Sequence, residues 1–193
     1  TQHNLRIVDT DPFADILPAG SPRLAALDQL DRVIYVGTFA KTLSASLRCG
    51  YIAADPDTVS ALADVKMITR TNSSGYIEQI VYDLITSGRY RNHLKRLVDR
   101  IEVATRTAHD SLSRLRLPVF GQPAGGFYMW CMLPAGIDDK ELSRTAAEHG
   151  ILLAPGTAFN PEAIAAPPAM RINIAYANDD RFARFMRTVG ATF

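Results

Sequence analysis

Long apolar runs, clustered cysteines and an excess of one charge are all missing from this sequence. Its 193 residues carry 21 Lys and Arg against 20 Asp and Glu, a net charge of +1. The basic residues are spread along the chain, so there is no nucleic-acid footprint and no acidic tail. No apolar run approaches the ~20 residues of a membrane span, and the first residues lack the form of a signal peptide. The two cysteines, Cys49 and Cys131, form no C-x-x-C pair, which leaves buried, inert thiols as the expectation. The four histidines, His3, His93, His109 and His149, are far apart and make no H-x-x-x-H pair. A metal site is therefore not expected, and a reducing, cytoplasmic setting is. At 47% hydrophobic and 21% charged, the composition is that of a globular protein.

What is present alternates strands with helices. Arg6 to Val8 is a short apolar run that starts with almost no lead-in, and Pro18 to Pro22 reads as a loop. Arg32 to Gly37 and Cys49 to Ala53 are apolar nearly throughout, as strands covered on both faces are. Asp55-Pro56 places proline at the first turn of a helix running through Thr58 to Ile68. Ile77, Ile80, Val81, Leu84 and Ile85 form one stripe over Tyr76 to Ser87, Gly88 punctuates it, and a long helix follows from Arg89 to about Leu115. Beyond it lie a strand at Phe127 to Leu133 and a helix capped by Asp138, with Glu141 at its third position, that ends at Gly150. Then come a strand at Ile151 to Ala154, a loop at Ala163 to Ala169, a strand at Met170 to Ala175, and a last helix capped by Asn178 or Asp179.

The chemistry concentrates between Val33 and Tyr51. Lys41 stands among small, apolar and hydroxyl residues with no acid nearby. A desolvated lysine loses its proton more readily, and a neutral amine condenses with aldehydes. Thr38 and Arg48 flank it, a hydroxyl and a guanidinium suited to a phosphate.

The stretch V-I-Y-V-G-T-F-A-K-T-L-S-A-S-L-R-C-G-Y resembles the lysine segment of the pyridoxal-phosphate (PLP) dependent class I/II aminotransferases: strand, S/T-x-x-K, loop, Arg, G-Y. Further segments match in family order. G-R-Y-R-N-H-L (Gly88 to Leu94) is similar to a segment of the MocR/GntR-type regulators, in which a winged helix-turn-helix precedes an aminotransferase-like domain; some free-standing aminotransferases share the segment. P-A-G-G-F-Y-M-W (Pro123 to Trp130), L-L-A-P-G-T-A-F (Leu152 to Phe159) and M-R-I (Met170 to Ile172) resemble small-domain segments.

The resemblance implies that Lys41 holds PLP covalently, that Thr38 and Arg48 bind its phosphate, and that Arg171 takes a substrate carboxylate. The alternative for Arg171 is a structural ion pair. The aromatic cluster Phe127, Tyr128 and Trp130 reads as small-domain core. The resemblance also implies an α/β fold. Residues 1–108 would be the second half of a PLP-type major domain with a mixed, mostly parallel sheet, and residues 109–193 a small α+β domain. Departures occur at Asp9-Thr10-Asp11-Pro12-Phe13, where family members usually carry E-D-D-P-Y or E-D-D-T-Y/F. Thr10 replaces the acid that pairs with the pyridinium nitrogen, and Phe13 replaces the tyrosine at the ring oxygen. Ala40 stands where serine often precedes the lysine.

The expectation is therefore a fragment, inactive and with little PLP affinity by itself. In the intact protein it would act as the effector domain of a MocR/GntR-type regulator or as part of an aminotransferase. The implied partners are an amino acid or amine ligand, a second copy in a homodimer, and DNA only through a domain upstream.

Overall fold

The computed structural model describes residues 3, 5–18, 20–121, 125–160 and 166–190. Ala19 of the first expected loop, Pro123 and Ala124 of the glycine-pair segment, and Ala163 to Ala165 of the Ala/Pro loop lie outside them. The chain divides into two compact units, residues 1–98 and 99–193.

In the first unit β1 (Ile7–Thr10), β2 (Val33–Thr38) and β3 (Gly50–Ala53) form one sheet in the order β1-β2-β3. The sheet is mixed, with β1 parallel to β2 and β3 antiparallel to it. A short helix α1 (Leu24–Asp28) connects the parallel pair. Asp28 then folds back, its carboxylate accepting from the Arg32 and Val33 amides at 2.6 and 2.8 Å, and so sets the start of β2. Helix α2 (Pro56–Arg70) begins as its sequence dictates. Asp55 caps it by accepting from Thr58 N at 3.0 Å, and Pro56 occupies the first turn, where no amide is needed.

Helices α3 (Gly75–Thr86) and α4 (Arg89–Arg114) meet at Gly88, whose φ of 74° breaks the run. Phe39, Val81 and Tyr90 form the buried core beside this sheet, with Leu43, Leu47, Leu84 and Leu94 packed against them.

Two expectations about strand burial are corrected. Val8 of β1, whose apolar run reads as a buried strand, is 63% exposed, and Ile52 of β3, expected to be covered on both faces, is 49% exposed. These strands are the two edges of a three-stranded sheet. Cys49 lies just before β3 and is only half-buried.

The second unit pairs β4 (Tyr128–Met132) and β5 (Ala154–Pro155) antiparallel to a central β6 (Ala169–Asn173), in the order β4-β6-β5. Helix α5 (Asp139–Glu148) is capped by Asp138, which accepts from the Lys140 and Glu141 amides. Gly150, at φ 70°, closes it. Helix α6 (Asp180–Gly190) starts at Asp179, which accepts from Arg181 N at 2.7 Å.

The strand expected at Ile151 to Ala154 shrinks to Ala154–Pro155. Only those two residues reach β6, opposite Arg171 and Met170, before a 3-10 turn at Gly156–Phe159 leads away. The apolar run therefore overstates the strand, and Leu152 is 92% exposed. Leu112, Met170 and Cys131 are the largest fully buried side chains of this unit.

The two thiols differ accordingly. Burial pushes the Cys131 thiol up to about 12, and the thiolate is the reacting species. Alkylation of the folded chain at neutral pH is expected to modify Cys49 and spare Cys131, read by peptide mass spectrometry. Equal labelling of both would mean that the β4–β6 core is open.

Candidate functional site

The lysine segment leaves β2 at Thr38 and turns. Lys41 lies in that turn, followed by a 3-10 turn at Ala45–Leu47 and then Arg48. The turn is pinned to the neighbouring strand, since Phe39 N donates to Cys49 O at 3.1 Å and Leu43 N to Phe39 O at 2.8 Å. Thr38 Oγ1 accepts from Ala40 N at 3.1 Å.

Arg48 holds a φ of 50°, in the left-handed region. Such a conformation costs a non-glycine residue about 1 kcal/mol and gathers at functional positions. Two glycines let the strands close up behind this segment. A Cβ on Gly50 would lie 2.7 Å from the Gly37 carbonyl oxygen. One on Gly37 would strike the Tyr51 ring, which lies across it between Tyr35 and Phe39.

Lys41 itself is exposed. The desolvation inferred from its apolar neighbours is thus not achieved by the described residues, because Phe39 and Leu43 turn into the core and Lys41 turns out.

Thr38 and Arg48 do come together. Both line an open cavity of about 740 Å³ over β2, β3 and α2. Lys66, Thr69, Arg70 and Ser73 line it too, and no acidic side chain among the described residues does. Three cations and several hydroxyls with no counter-charge suit an anionic group such as a phosphate. The two cations from α2 were not legible as site residues, since a Lys and an Arg at four-residue spacing read as a solvated helix face.

Thr10 is opposite Val36 in the β1–β2 register, hence on the sheet face that also carries Thr38. Asp9 is opposite Tyr35 and so belongs to the other face. Asp11 is committed elsewhere. Its carboxylate accepts from Arg23 Nε at 3.0 Å and lies 3.4 Å from the Tyr35 hydroxyl. Burial, and then Asp11, push the Tyr35 hydroxyl up to about 12. Neither neighbouring acid is therefore placed to do what an acid at position 10 would do. Phe13, half-buried, precedes the short turn Ala14–Ile16.

Arg171 belongs to the second unit, at the centre of β6, opposite Trp130 on one side and Ala154 on the other. Its guanidinium carbon lies 4.3 Å from the centroid of the Tyr128 ring and 4.9 Å from that of Phe159. The Trp130 ring meets Phe159 edge-on at 5.5 Å. Nε of Arg171 is buried with no hydrogen-bond partner, and no ion pair to this arginine forms among the described residues. Two rings thus flank a guanidinium whose Nε has no hydrogen-bond partner among the described residues. Tyr128 and Trp130 flank Arg171 instead of filling the core, whereas Met129 and Cys131 point inward. Phe159 closes the L-L-A-P-G-T-A-F segment noted in the sequence, but nothing there pointed to its contact with Arg171, which it reaches through the turn after β5.

Residues 7–189 match the family described as aminotransferase class I and II. The chain belongs to that family. It is 26% identical over 197 residues to aromatic-amino-acid aminotransferase 1 of Thermococcus litoralis, covering all of this chain and 47% of that protein. It is 29% identical over 178 residues to the uncharacterized HTH-type transcriptional regulator YdfD of Bacillus subtilis, covering 90% of this chain and 36% of the regulator. Among solved structures, the kynurenine aminotransferase of Pyrococcus horikoshii superposes with a TM-score of 0.82 at 24% identity, over 99% of this chain and 48% of that one. That likeness shows the aminotransferase fold. The chain spans half or less of the length of each of these relatives. No described helix is long and apolar enough to cross a membrane.

Proposed function

We propose that this chain is part of the PLP-binding effector domain of a MocR/GntR-type transcription regulator. In that reading residues 1–108 belong to the cofactor-binding domain and residues 109–193 to the small domain. DNA is bound by a helix-turn-helix outside these residues, and the working unit is a cytoplasmic homodimer.

Thr38 and Arg48 bind the cofactor phosphate at the cationic cavity, and Lys41 holds the cofactor covalently. Bound there, PLP supplies a reactive aldehyde and an electron-withdrawing ring. Arg171 presents two parallel N–H donors to the carboxylate of an amino acid. The observation that carries the regulator reading is Thr10 on the Thr38 face, with Asp11 tied to Arg23. Thr10 is uncharged and cannot keep a ring nitrogen protonated, and without that charge proton removal from a substrate slows. A sensor needs the covalent link but not rapid turnover.

The second reading, an aminotransferase, draws on the match to the Thermococcus enzyme across the whole chain. Lys41 would then also move the substrate α-proton as general base.

The test uses the full-length protein mixed with PLP. A visible absorption band is expected, with borohydride fixing the cofactor on Lys41. Amino acids should then perturb the band without releasing keto acid at ordinary enzymatic rates. Rapid keto-acid release would replace the regulator reading with the enzyme one, and absence of any band would remove both.

A further inference from the structure

The segment Gly88 to Leu94 has no part in the site described so far, yet two of its polar side chains, Tyr90 and His93, both end on the residue after Lys41. Thr42 is buried, at 3% exposure, in a turn whose neighbours Ala40 and Lys41 are not. Its hydroxyl lies 2.8 Å from the Tyr90 hydroxyl. Tyr90 in turn donates to the Asp15 carboxylate at 2.5 Å. A phenol has one proton to give, so Tyr90 donates to Asp15 and accepts from Thr42. Burial, and then the bond to Asp15, push the Tyr90 hydroxyl upward, so this direction holds at neutral pH.

His93 Nε2 lies 2.7 Å from the Thr42 carbonyl oxygen. A carbonyl only accepts, so Nε2 carries the proton. One peptide is thereby gripped at its side chain and its carbonyl from the first turn of α4. The grip is backed by Asp15 from the segment after β1. The ring of Tyr90 packs edge-on against Phe39 at 5.7 Å, on the other flank of Lys41.

We propose that Tyr90 and His93 are positioning residues for Lys41: through Thr42 they hold the lysine turn in one conformation, so that its amine is presented in a fixed place although the side chain is exposed. The inference rests on Lys41 as the cofactor-bearing residue. Pre-positioning matters because a covalent link forms only where the amine meets the aldehyde in register, whereas phosphate binding at Thr38 and Arg48 does not need the turn to be fixed.

The test compares two probes on the full-length protein. PLP can be joined to Lys41, and pyridoxamine 5'-phosphate, which has the same phosphate but no aldehyde, cannot. Thr42→Val keeps the volume and removes the hydroxyl. Tyr90→Phe and His93→Leu remove the other contacts. Each is expected to weaken PLP binding by about five- to tenfold, the loss of roughly one hydrogen bond. Each should also lower borohydride-fixed cofactor on Lys41 and leave pyridoxamine 5'-phosphate affinity within about twofold of wild type. Thr42→Ser and His93→Gln, which retain a hydroxyl and an N–H donor, should return PLP binding towards wild type. Parallel weakening of both probes would mean a folding role, not positioning, and would overturn the proposal. So would wild-type PLP binding by Thr42→Val. If the wild type fixes no cofactor at Lys41, the cofactor reading falls first and the positioning role with it. If only the variants behave as wild type, the cofactor reading stands alone.

Discussion

Lys41→Ala is expected to abolish the visible absorption of the PLP-loaded full-length protein and all borohydride-fixed label. It should leave the fold and the phosphate contacts in place. Lys41 is exposed, makes no hydrogen bond or ion pair among the described residues, and is absent from the core around Phe39. Its removal therefore creates no cavity and strands no buried partner, and a surface change of this kind shifts stability by less than about 0.5 kcal/mol. Thr38 and Arg48 remain at the cationic cavity, so pyridoxamine 5'-phosphate should bind the variant nearly as it binds wild type. Persistence of the visible band in Lys41→Ala would show that another amine carries the cofactor, and would end the reading of this turn as the site.

Gly50→Ala is expected to have the largest effect on stability of any single methyl group added to this segment. The new Cβ would stand 2.7 Å from the Gly37 carbonyl oxygen and 3.5 Å from Thr38 Cα, both backbone atoms of β2. Backbone held in the β2–β3 pairing cannot step aside as a side chain can, and overpacking of this sort costs about 2–3 kcal/mol. At roughly 2–4 °C per kcal/mol for a domain of this size, the melting transition should fall by about 5–10 °C. Gly37→Ala is the informative contrast. Its Cβ would meet the outer atoms of the Tyr51 ring, which is partly exposed and free to swing outward, so its cost should be smaller. Equal melting shifts for the two variants would show that the β2–β3 spacing does not depend on Gly50.

Local signals were legible where one stretch of sequence contains all of the physics. The Asp55-Pro56 start of α2, the Asp138 cap of α5 and the Gly88 break each depend on a few adjacent residues, and each formed as read. The Ile151 to Ala154 run failed as a strand because pairing needs a partner within reach, and β6 reaches only its last residue and Pro155. Lys41 was singled out by family resemblance, but its exposed surroundings were not foreseen. Apolar neighbours in sequence turned inward and left it in solvent. The grip of Tyr90 on Asp15 and Thr42 joins residues up to 75 positions apart, and the stacking of Phe159 on Arg171 depends on a turn. No periodicity records contacts of that kind. The segment Gly88 to Leu94 hinted at a shared role without saying what it touches.

Cys49 lies beside this apparatus in a way that bears on ligand design. It lines the same cavity as Arg48, Lys66 and Arg70, and its carbonyl anchors the turn that carries Lys41. A small anionic compound bearing a mild electrophile would be drawn in by the three cations and captured by that thiol. The other cysteine of the chain is sealed in the β4–β6 core and would not compete. The cavity thus comes with its own tether, through which occupants too weak to isolate by affinity can be found by mass.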